Sequence, residues 1–506
     1  MLLLGRPDGS TGRVACDSRQ PDRFLKAARI AFGFRTCEQM RPQFIPAAGK
    51  NVHPHRGRYN RHHLEQPSPF VTASDLLARS LRAVWHPCTQ MKQHERLPLV
   101  PIARGEGVWL YDTEGRRYLD AVSSWWVNLF GHGNEHIADA IARQARELEH
   151  VMLAGFTHRP VVELSERLAA LAPDGLGHCF YGSDGASATE IALKMSFHFW
   201  RNTGKPGKTQ FVSLANSYHG ETLGALSVTD VALFRDVYAP LLRQGATVAS
   251  PDSRLARDGE SACDAALRAA QALDEYLAAH HASTAALIVE PLVQGATGMA
   301  MYHPVYLERA RELCTRYDVH LIADEIMVGF GRTGTLFACE QADIAPDFLC
   351  LSKGITGGFL PLSVVLTTDA VYDAFYDDEV TRGFLHSHSY TGNPIACAAA
   401  LAVLDIFRDQ DVIANNRDKS PRYTACLEAI AAHDKVRHFR HVGMIWAFEV
   451  ASVRSDFARW CFGAALEREL LLRPIGNTIY FMPPYVIDDA EMALLANRTL
   501  EIVERA

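Results

Sequence analysis

From about Ser74 onward the chain alternates short apolar runs with stretches whose apolar residues recur every three or four positions. The runs "HCFY", "TQFVSL", "ALIVE", "VHLIA" and "FLCLS" are four to six residues long and mostly lack the polar alternation of a half-exposed strand. Such runs predict strands buried on both faces. Between them lie helical stretches such as "PVYLERARELCTRY". Strands that alternate with helices predict a mostly parallel sheet covered on both sides, an α/β fold. Upstream, "SDLLARSL" predicts a capped helix and "GVWLYDTEGRRYLDAVS" two short strands about a turn. After "GNPIACAAALAVLDIF" the pattern mixes helices with short strands, passes through "TIYFMPPYVI" and ends on a helix. The expected organisation places residues 136–395 in a large central domain. Residues 71–135 and 396–506 form a smaller α+β domain from both ends of the chain.

Composition changes this picture at one place. The 506 residues carry a net charge of −7, which gives no sign of a nucleic-acid partner, and no apolar run reaches the length of a membrane span. Eleven cysteines occur without a C-x-x-C pair, and several, such as Cys350 in "DFLCLSK", sit in apolar runs. They are expected as free thiols of a cytoplasmic protein. Residues 1–70 differ: 12 Lys and Arg stand against 5 Asp and Glu, a local charge of +7 that leaves −14 for the rest. Apolar periodicity is poor there, and "HPHRGRYNRHH" does not pack a core. A transit peptide, a flexible tail and an upstream extension from a misassigned start all remain open. The poor periodicity favours a disordered or spurious extension.

Four segments carry candidate chemistry. In "LIADEIMVGFGRTG" an apolar strand ends in Asp324-Glu325. Charge is costly inside a parallel sheet, but the carboxyl ends of its strands are where ligands bind. In "LCLSKGITGG", Lys353 follows an apolar strand and precedes Gly354, Gly357 and Gly358. A loop lysine is ordinarily a solvated charge. One whose stem enters the interior has a lowered pKa and becomes a nucleophile for carbonyls. If the two strands are neighbours, an amine and a carboxylate face one cleft. That pair suits pyridoxal phosphate, whose aldehyde takes the lysine and whose ring nitrogen takes the acid. The third segment, "GSDGASATE", is a Gly- and Ser-rich turn opening a helix, a ready anion site. The fourth, "SYHGET", offers Tyr218 as a ring to stack on a flat cofactor. Taken singly, these segments also read as a cap, a surface lysine and a turn tyrosine.

In this order the segments resemble the class III pyridoxal phosphate transaminases of fold type I. The resemblance covers about residues 74–506 and is carried by "VWHPCTQM", "AVSSWWVNLFGHGN", "SYHGETLGALSV", "EPLVQGATGMAMYHP", "DEIMVGFGRTG", "LHSHSYTGNPIACAAA" and "LLRPIGNTIYFMPPY". Within the class, the segments look most like the members of biotin synthesis that move the amino group of S-adenosylmethionine to 8-amino-7-oxononanoate. The resemblance implies that Lys353 holds the cofactor and shuttles the proton, and that Asp324 pairs with the pyridine nitrogen. It implies that Gly185 and Ala186 bind the phosphate through backbone N–H groups. His388 and Ser389 would reach the phosphate of a neighbouring subunit, which implies a homodimer. Tyr218 would lie against cofactor and substrate, Trp125 would line the substrate pocket with Ser387 near it, and Arg473 would take the keto acid's carboxylate. Plain core is the other reading of Trp125.

Three positions depart from the pattern. A His-Pro-Tyr motif of the family has Cys88 in place of its substrate-binding tyrosine. Met327 stands where many relatives carry a glutamine. Ala296 follows Gln294-Gly295 where glutamate-using relatives have a glutamate that switches an arginine. The alternatives are a class III transaminase with a lysine donor or an ω-amino acid substrate, a pyridoxal phosphate aminomutase, and a binding module that kept the fold.

Overall fold

The structure is a computed structural model that describes residues 73–97 and 99–506; the expectations for residues 1–70 lie outside the described residues. Its centre is a seven-stranded sheet. In spatial order the strands are His178–Gly182, Ser363–Thr367, Phe348–Leu351, His320–Asp324, Thr284–Val289, Gln210–Leu214 and Ala246–Val248. Ser363–Thr367 runs against both of its neighbours, and the other pairings are parallel. The five apolar runs of the sequence are all strands of this sheet. Ser363–Thr367 and the short Ala246–Val248 are strands that the run lengths did not single out.

Alternation within each strand sorts side chains to the two faces. Ala286, Ile288, Ile322, Phe348, Cys350 and Val365 share one apolar cluster with Ala188, Ile191, Ala192 and Met195 of the helix Gly185–Asn202. Leu287, Val289 and Leu321 join a second cluster with the helices Ala262–His280 and Val305–Arg316. Both faces are therefore dry. Each fully buried Val, Leu, Ile or Phe adds about 1.5–3 kcal/mol of burial.

The chain ends meet in a second sheet. Ile102–Glu106, Trp109–Asp112 and Arg117–Asp120 form an antiparallel meander, and Leu470–Leu471 joins it in parallel, with Leu470 opposite Leu119. A third sheet is built from Val436–Val442, Ile445–Val450 and Thr478–Phe481. Among the described residues no helix is long and apolar enough to cross a membrane.

The register of the central sheet decides where charge sits. Asp324 lies opposite Cys350, so the His320–Asp324 and Phe348–Leu351 strands finish side by side. The next residue, Glu325, turns away and is wholly buried. Its carboxylate accepts the N–H groups of Ala338 (2.7 Å) and Cys339 (2.8 Å), tying down the loop after the strand. Burial pushes its pKa up from 4.5 to about 7, against the pull of those two donors.

The folded chain thus holds the Glu325 proton more tightly than the unfolded chain. Its contribution to stability is full below about pH 4.5 and is lost as pH rises through about 7. At 1.36 kcal/mol per unit the effect is on the order of 3 kcal/mol. In urea unfolding, Glu325→Gln is expected to lose less stability than wild type between mildly acid and mildly alkaline pH. Parallel slopes for the two proteins would mean that Glu325 stays ionised throughout.

Candidate active site

Lys353 follows the Phe348–Leu351 strand by two residues and Asp324 ends the adjacent one, so the sheet delivers an amine and a carboxylate to one cleft. Lys353 itself has a left-handed backbone, φ 43°. Its half-buried side chain points its amine at the Trp126 ring, 4.8 Å from the centroid. Desolvation lowers the amine's pKa, and the carboxylates of Asp324 and Glu290 oppose that shift. The neutral, nucleophilic form is therefore reached at a lower pH than for a surface lysine.

Asp324 is 5% exposed. Oδ1 accepts the Ile326 N–H (3.1 Å), and Oδ2 accepts from Nδ1 of the buried His219 at 2.7 Å. The His219 backbone N–H in turn donates to Thr229 Oγ1. Glu290, at the end of the Thr284–Val289 strand, is a second buried acid. It accepts the N–H groups of Tyr218 and Gly295, both at 2.9 Å, and burial pushes its pKa up to about 7. It ties the "SYHG" turn to the Gln294-Gly295-Ala296 segment. The sequence marked neither His219 nor Glu290 as a site residue. The signal for Glu290 was present, because an acid ending the run "ALIVE" repeats the pattern of Asp324.

The half-buried Tyr218 donates its hydroxyl to Glu221 (2.9 Å) and packs its ring edge-on against Phe234. Opposite it lies the start of the 18-residue helix Gly185–Asn202, capped by Asp184 through the Ser187 N–H. The N–H groups of Gly185 and Ala186 have no hydrogen-bond partner among the described residues. Two close approaches shape this corner. A Cβ on Gly185 would stand 2.9 Å from Ile326 Cγ2, and one on Gly220, at φ +123°, 2.7 Å from the Ala186 Cβ. His388 reaches Ser183 of its own chain, 3.2 Å from Nδ1 to Oγ, just before the helix; Ser387 and Ser389 are exposed.

Trp125 and Trp126 lie in a left-handed stretch, with φ of 49°, 45°, 74° and 72° from Ser123 to Trp126. Each non-glycine residue there costs about 1–2 kcal/mol. Ser123 and Trp126 are buried, whereas Trp125 is 42% exposed and stacks with the Arg473 guanidinium, 4.6 Å from its ring. Arg473 and the exposed Cys88 line one cavity of about 910 Å³, with Tyr118, Phe457 and Leu471 in its wall.

These residues fit pyridoxal phosphate. Two unpaired N–H groups at a helix start suit a phosphate, whose charge the helix dipole favours. A buried carboxylate held by a histidine suits a ring nitrogen that must keep a proton, and a desolvated lysine suits an aldehyde.

The chain matches the family described as Aminotransferase class-III over residues 90–503. It is 45% identical over 438 residues to an adenosylmethionine-8-amino-7-oxononanoate aminotransferase of Helicobacter pylori, covering 85% of this chain and 98% of that one. A protein of the same name from Geobacter sulfurreducens is 41% identical, with 82% and 94% covered. Among solved structures, the adenosylmethionine-8-amino-7-oxononanoate aminotransferase of Methanocaldococcus jannaschii superposes with a TM-score of 0.80 at 35% identity, covering 85% of this chain and 99% of that one. An omega transaminase of Pseudomonas jessenii, solved in complex with PMP, gives 0.81 at 28% identity, with 85% and 98% covered. The chain belongs to the class-III aminotransferases.

Proposed function

We propose that the protein transfers the amino group of S-adenosylmethionine to 8-amino-7-oxononanoate, giving 7,8-diaminononanoate for biotin synthesis, as a cytoplasmic homodimer that uses pyridoxal 5'-phosphate. The observation that carries this reading is the meeting of Lys353 and Asp324 at adjacent strand ends. The names of the relatives supply the substrates.

When bound, pyridoxal phosphate supplies an aldehyde that condenses with amines and a protonated ring that draws electrons from the neighbouring carbon. The chain does the rest. Asp324 would pair with the ring nitrogen, and the Nδ1–H of His219 keeps that carboxylate oriented. Gly185 and Ala186 present their N–H groups to the phosphate, and His388 and Ser389 serve the phosphate of the neighbouring subunit. The exposed Leu233, Val237, Leu241 and Leu385 support an apolar face covered by that subunit. Lys353 would take the proton from the donor's amine-bearing carbon and deliver it to the carbon on the far side of the amine nitrogen. The second substrate reverses these moves.

Substrate recognition falls to the Arg473 side of the site. A guanidinium grips a carboxylate with two parallel hydrogen bonds. The Trp125 ring attracts a sulfonium by cation–π contact and covers the long apolar chain of the acceptor by area. Tyr218 and Ser387 complete the pocket. Cys88 stands where a tyrosine would close the cavity, and its exposure supports a looser wall there.

Purified protein given 8-amino-7-oxononanoate and a panel of amino donors is expected to form the diamine with S-adenosylmethionine. Turnover with ω-amines or lysine alone would overturn the assignment in favour of another class III transaminase, and return of the amine to its own carbon skeleton would point to an aminomutase.

Lys353→Ala is expected to keep the far-ultraviolet circular dichroism of the wild type while transfer falls by on the order of 1000-fold or more, the scale of a lost general acid–base group. Full turnover in a folded variant would remove Lys353 from the mechanism.

Cys88→Tyr is expected to fold and to lower KM for 8-amino-7-oxononanoate by roughly threefold to tenfold, the scale of one added hydrogen bond. Steady-state kinetics on both substrates check this. A higher KM in the folded variant would show that the cavity is built around the cysteine.

A further inference from the structure

The Arg117–Asp120 strand ends in a carboxylate that the proposed reaction does not use, and the left-handed residues Ser123 to Trp126 follow it without a glycine among them. We infer that Asp120 is a positioning residue: its carboxylate clamps this turn and thereby sets Trp125 against Arg473 and Trp126 against Lys353. The inference rests on the reading of Lys353 and Arg473 as cofactor and substrate groups.

The clamp is visible atom by atom. Asp120 is wholly buried. Its Oδ1 accepts the N–H of Ser124 at 2.9 Å and that of Val122 at 3.3 Å. Its Oδ2 accepts the Ser124 hydroxyl at 2.7 Å and faces Nε2 of His132 at 3.0 Å. The Asn128 amide nitrogen lies 3.1 Å from the other ring nitrogen of His132. An amide donor there makes Nδ1 the acceptor, so Nε2 carries the hydrogen toward Asp120. The carboxylate thus receives four donors, three of them from the turn or the residue that enters it. The far side is anchored independently: the Ser123 hydroxyl donates to the Met482 carbonyl (2.7 Å) and accepts from Arg332 (3.0 Å).

Left-handed conformations at non-glycine residues persist only where the surroundings over-determine them. Without the carboxylate, two backbone donors and a hydroxyl lose their acceptor, and the backbone is free to relax toward right-handed values. The side-chain directions of Trp125 and Trp126 follow the backbone. Their contacts are specific: Trp125 lies 4.6 Å from the Arg473 guanidinium and Trp126 lies 4.8 Å from the Lys353 amine, with the Trp126 indole N–H donating to Tyr480 at 3.1 Å. One buried acid therefore governs a ring on the substrate side and a ring on the cofactor side.

The test compares wild type, Asp120→Ala, Asp120→Asn and the double variant Asp120→Ala/Ser124→Gly. Three quantities are read: the near-ultraviolet tryptophan dichroism of the holoenzyme, kcat and KM for 8-amino-7-oxononanoate, and the rate of reductive methylation of Lys353 after cofactor removal, followed by mass spectrometry. For Asp120→Ala we expect altered tryptophan bands, KM raised about tenfold with a smaller change in kcat, and Lys353 methylated about tenfold faster, the scale of one lost charge-assisted hydrogen bond. Ser124→Gly on that background is expected to recover most of these changes, because glycine takes a left-handed φ without a clamp. A destabilised core would not respond to glycine in this way. Should Asp120→Ala fail to fold, Asp120→Asn decides. It keeps one acceptor for the Ser124 N–H and is expected to show the same changes in smaller size. Variants that fold with wild-type dichroism, KM and methylation overturn the inference, as does a folded double variant with no recovery. If wild type transfers no amine to 8-amino-7-oxononanoate, the functional reading fails, while dichroism and methylation still decide the role of Asp120.

Discussion

A buried carboxylate must be compensated, and the arrangement around Asp324 follows from that requirement. Its two oxygens are met by the Ile326 N–H and the His219 ring, and the carboxylate acts in turn on the Lys353 amine, opposing the desolvation that lowers its pKa. Removing water from a charge costs several kcal/mol, so a carboxylate survives there only with partners fixed in advance. Each partner belongs to a different connection of the sheet. His219 comes from the turn after Gln210–Leu214, Lys353 from the turn after Phe348–Leu351, and Glu290, which holds the Tyr218 turn, from the end of Thr284–Val289. The parallel sheet supplies a row of strand ends, and the acid gathers them.

The second constraint is conformational. Lys353 and the four residues from Ser123 to Trp126 all occupy left-handed backbone without glycine. These residues converge on one contact, the Lys353 amine against the Trp126 ring. Strain of this kind concentrates at functional sites because the rest of the fold can hold it. Here the holding is done by hydrogen-bonded polar groups: Asp120 on one side, and on the other the wholly buried Arg332, which reaches the Ser123 hydroxyl and the carbonyls of Asn128 and Pro483. Among the described residues Arg332 has no buried acid as a direct partner. It lies over the Tyr485 ring, and burial lowers its pKa.

What was legible in the sequence follows from range. Strands buried on both faces announce themselves as apolar runs, so the five central strands and the acid and lysine at their ends were readable. Ser363–Thr367 was hidden because "FLPLSVVLTT" blends a loop with a strand, and pairing against Phe348–Leu351 decides which residues belong to it. The pairing of both chain ends through Leu119 and Leu470 spans 351 residues and leaves no local trace. Resemblance to a family singled out Trp125, but the left-handed turn that carries it was not readable. No glycine or asparagine marks the turn, and Asp120, which accepts hydrogen bonds from it, lies three residues before "SSWW". Glu290 and His219 were in plain view within quoted segments. Their role depends on which backbone N–H and which carboxylate they meet, and those are contacts between turns far apart in the chain.

Met327 packs against Gly295 and Trp126. Gly295 has no side chain, and a Cβ there would collide with the Met327 sulfur, while the Trp126 ring edge lies 3.5 Å away. Methionine adapts its shape and favours contact with aromatic edges. A glutamine at 327 would bring an amide into that same apolar corner beneath Trp126, where an unpaired polar group is costly. The neighbouring Ala296 removes the carboxylate that would otherwise draw an arginine aside. Among the described residues Arg473 makes no ion pair, and its guanidinium rests on Trp125. Arg473 also lines the cavity of about 910 Å³. A guanidinium without an ion-pair partner favours substrates that bring a carboxylate. 8-Amino-7-oxononanoate meets that condition. S-Adenosylmethionine carries a sulfonium as well as a carboxylate, and the half-exposed Trp125 ring beside Arg473 is a surface suited to such a cation.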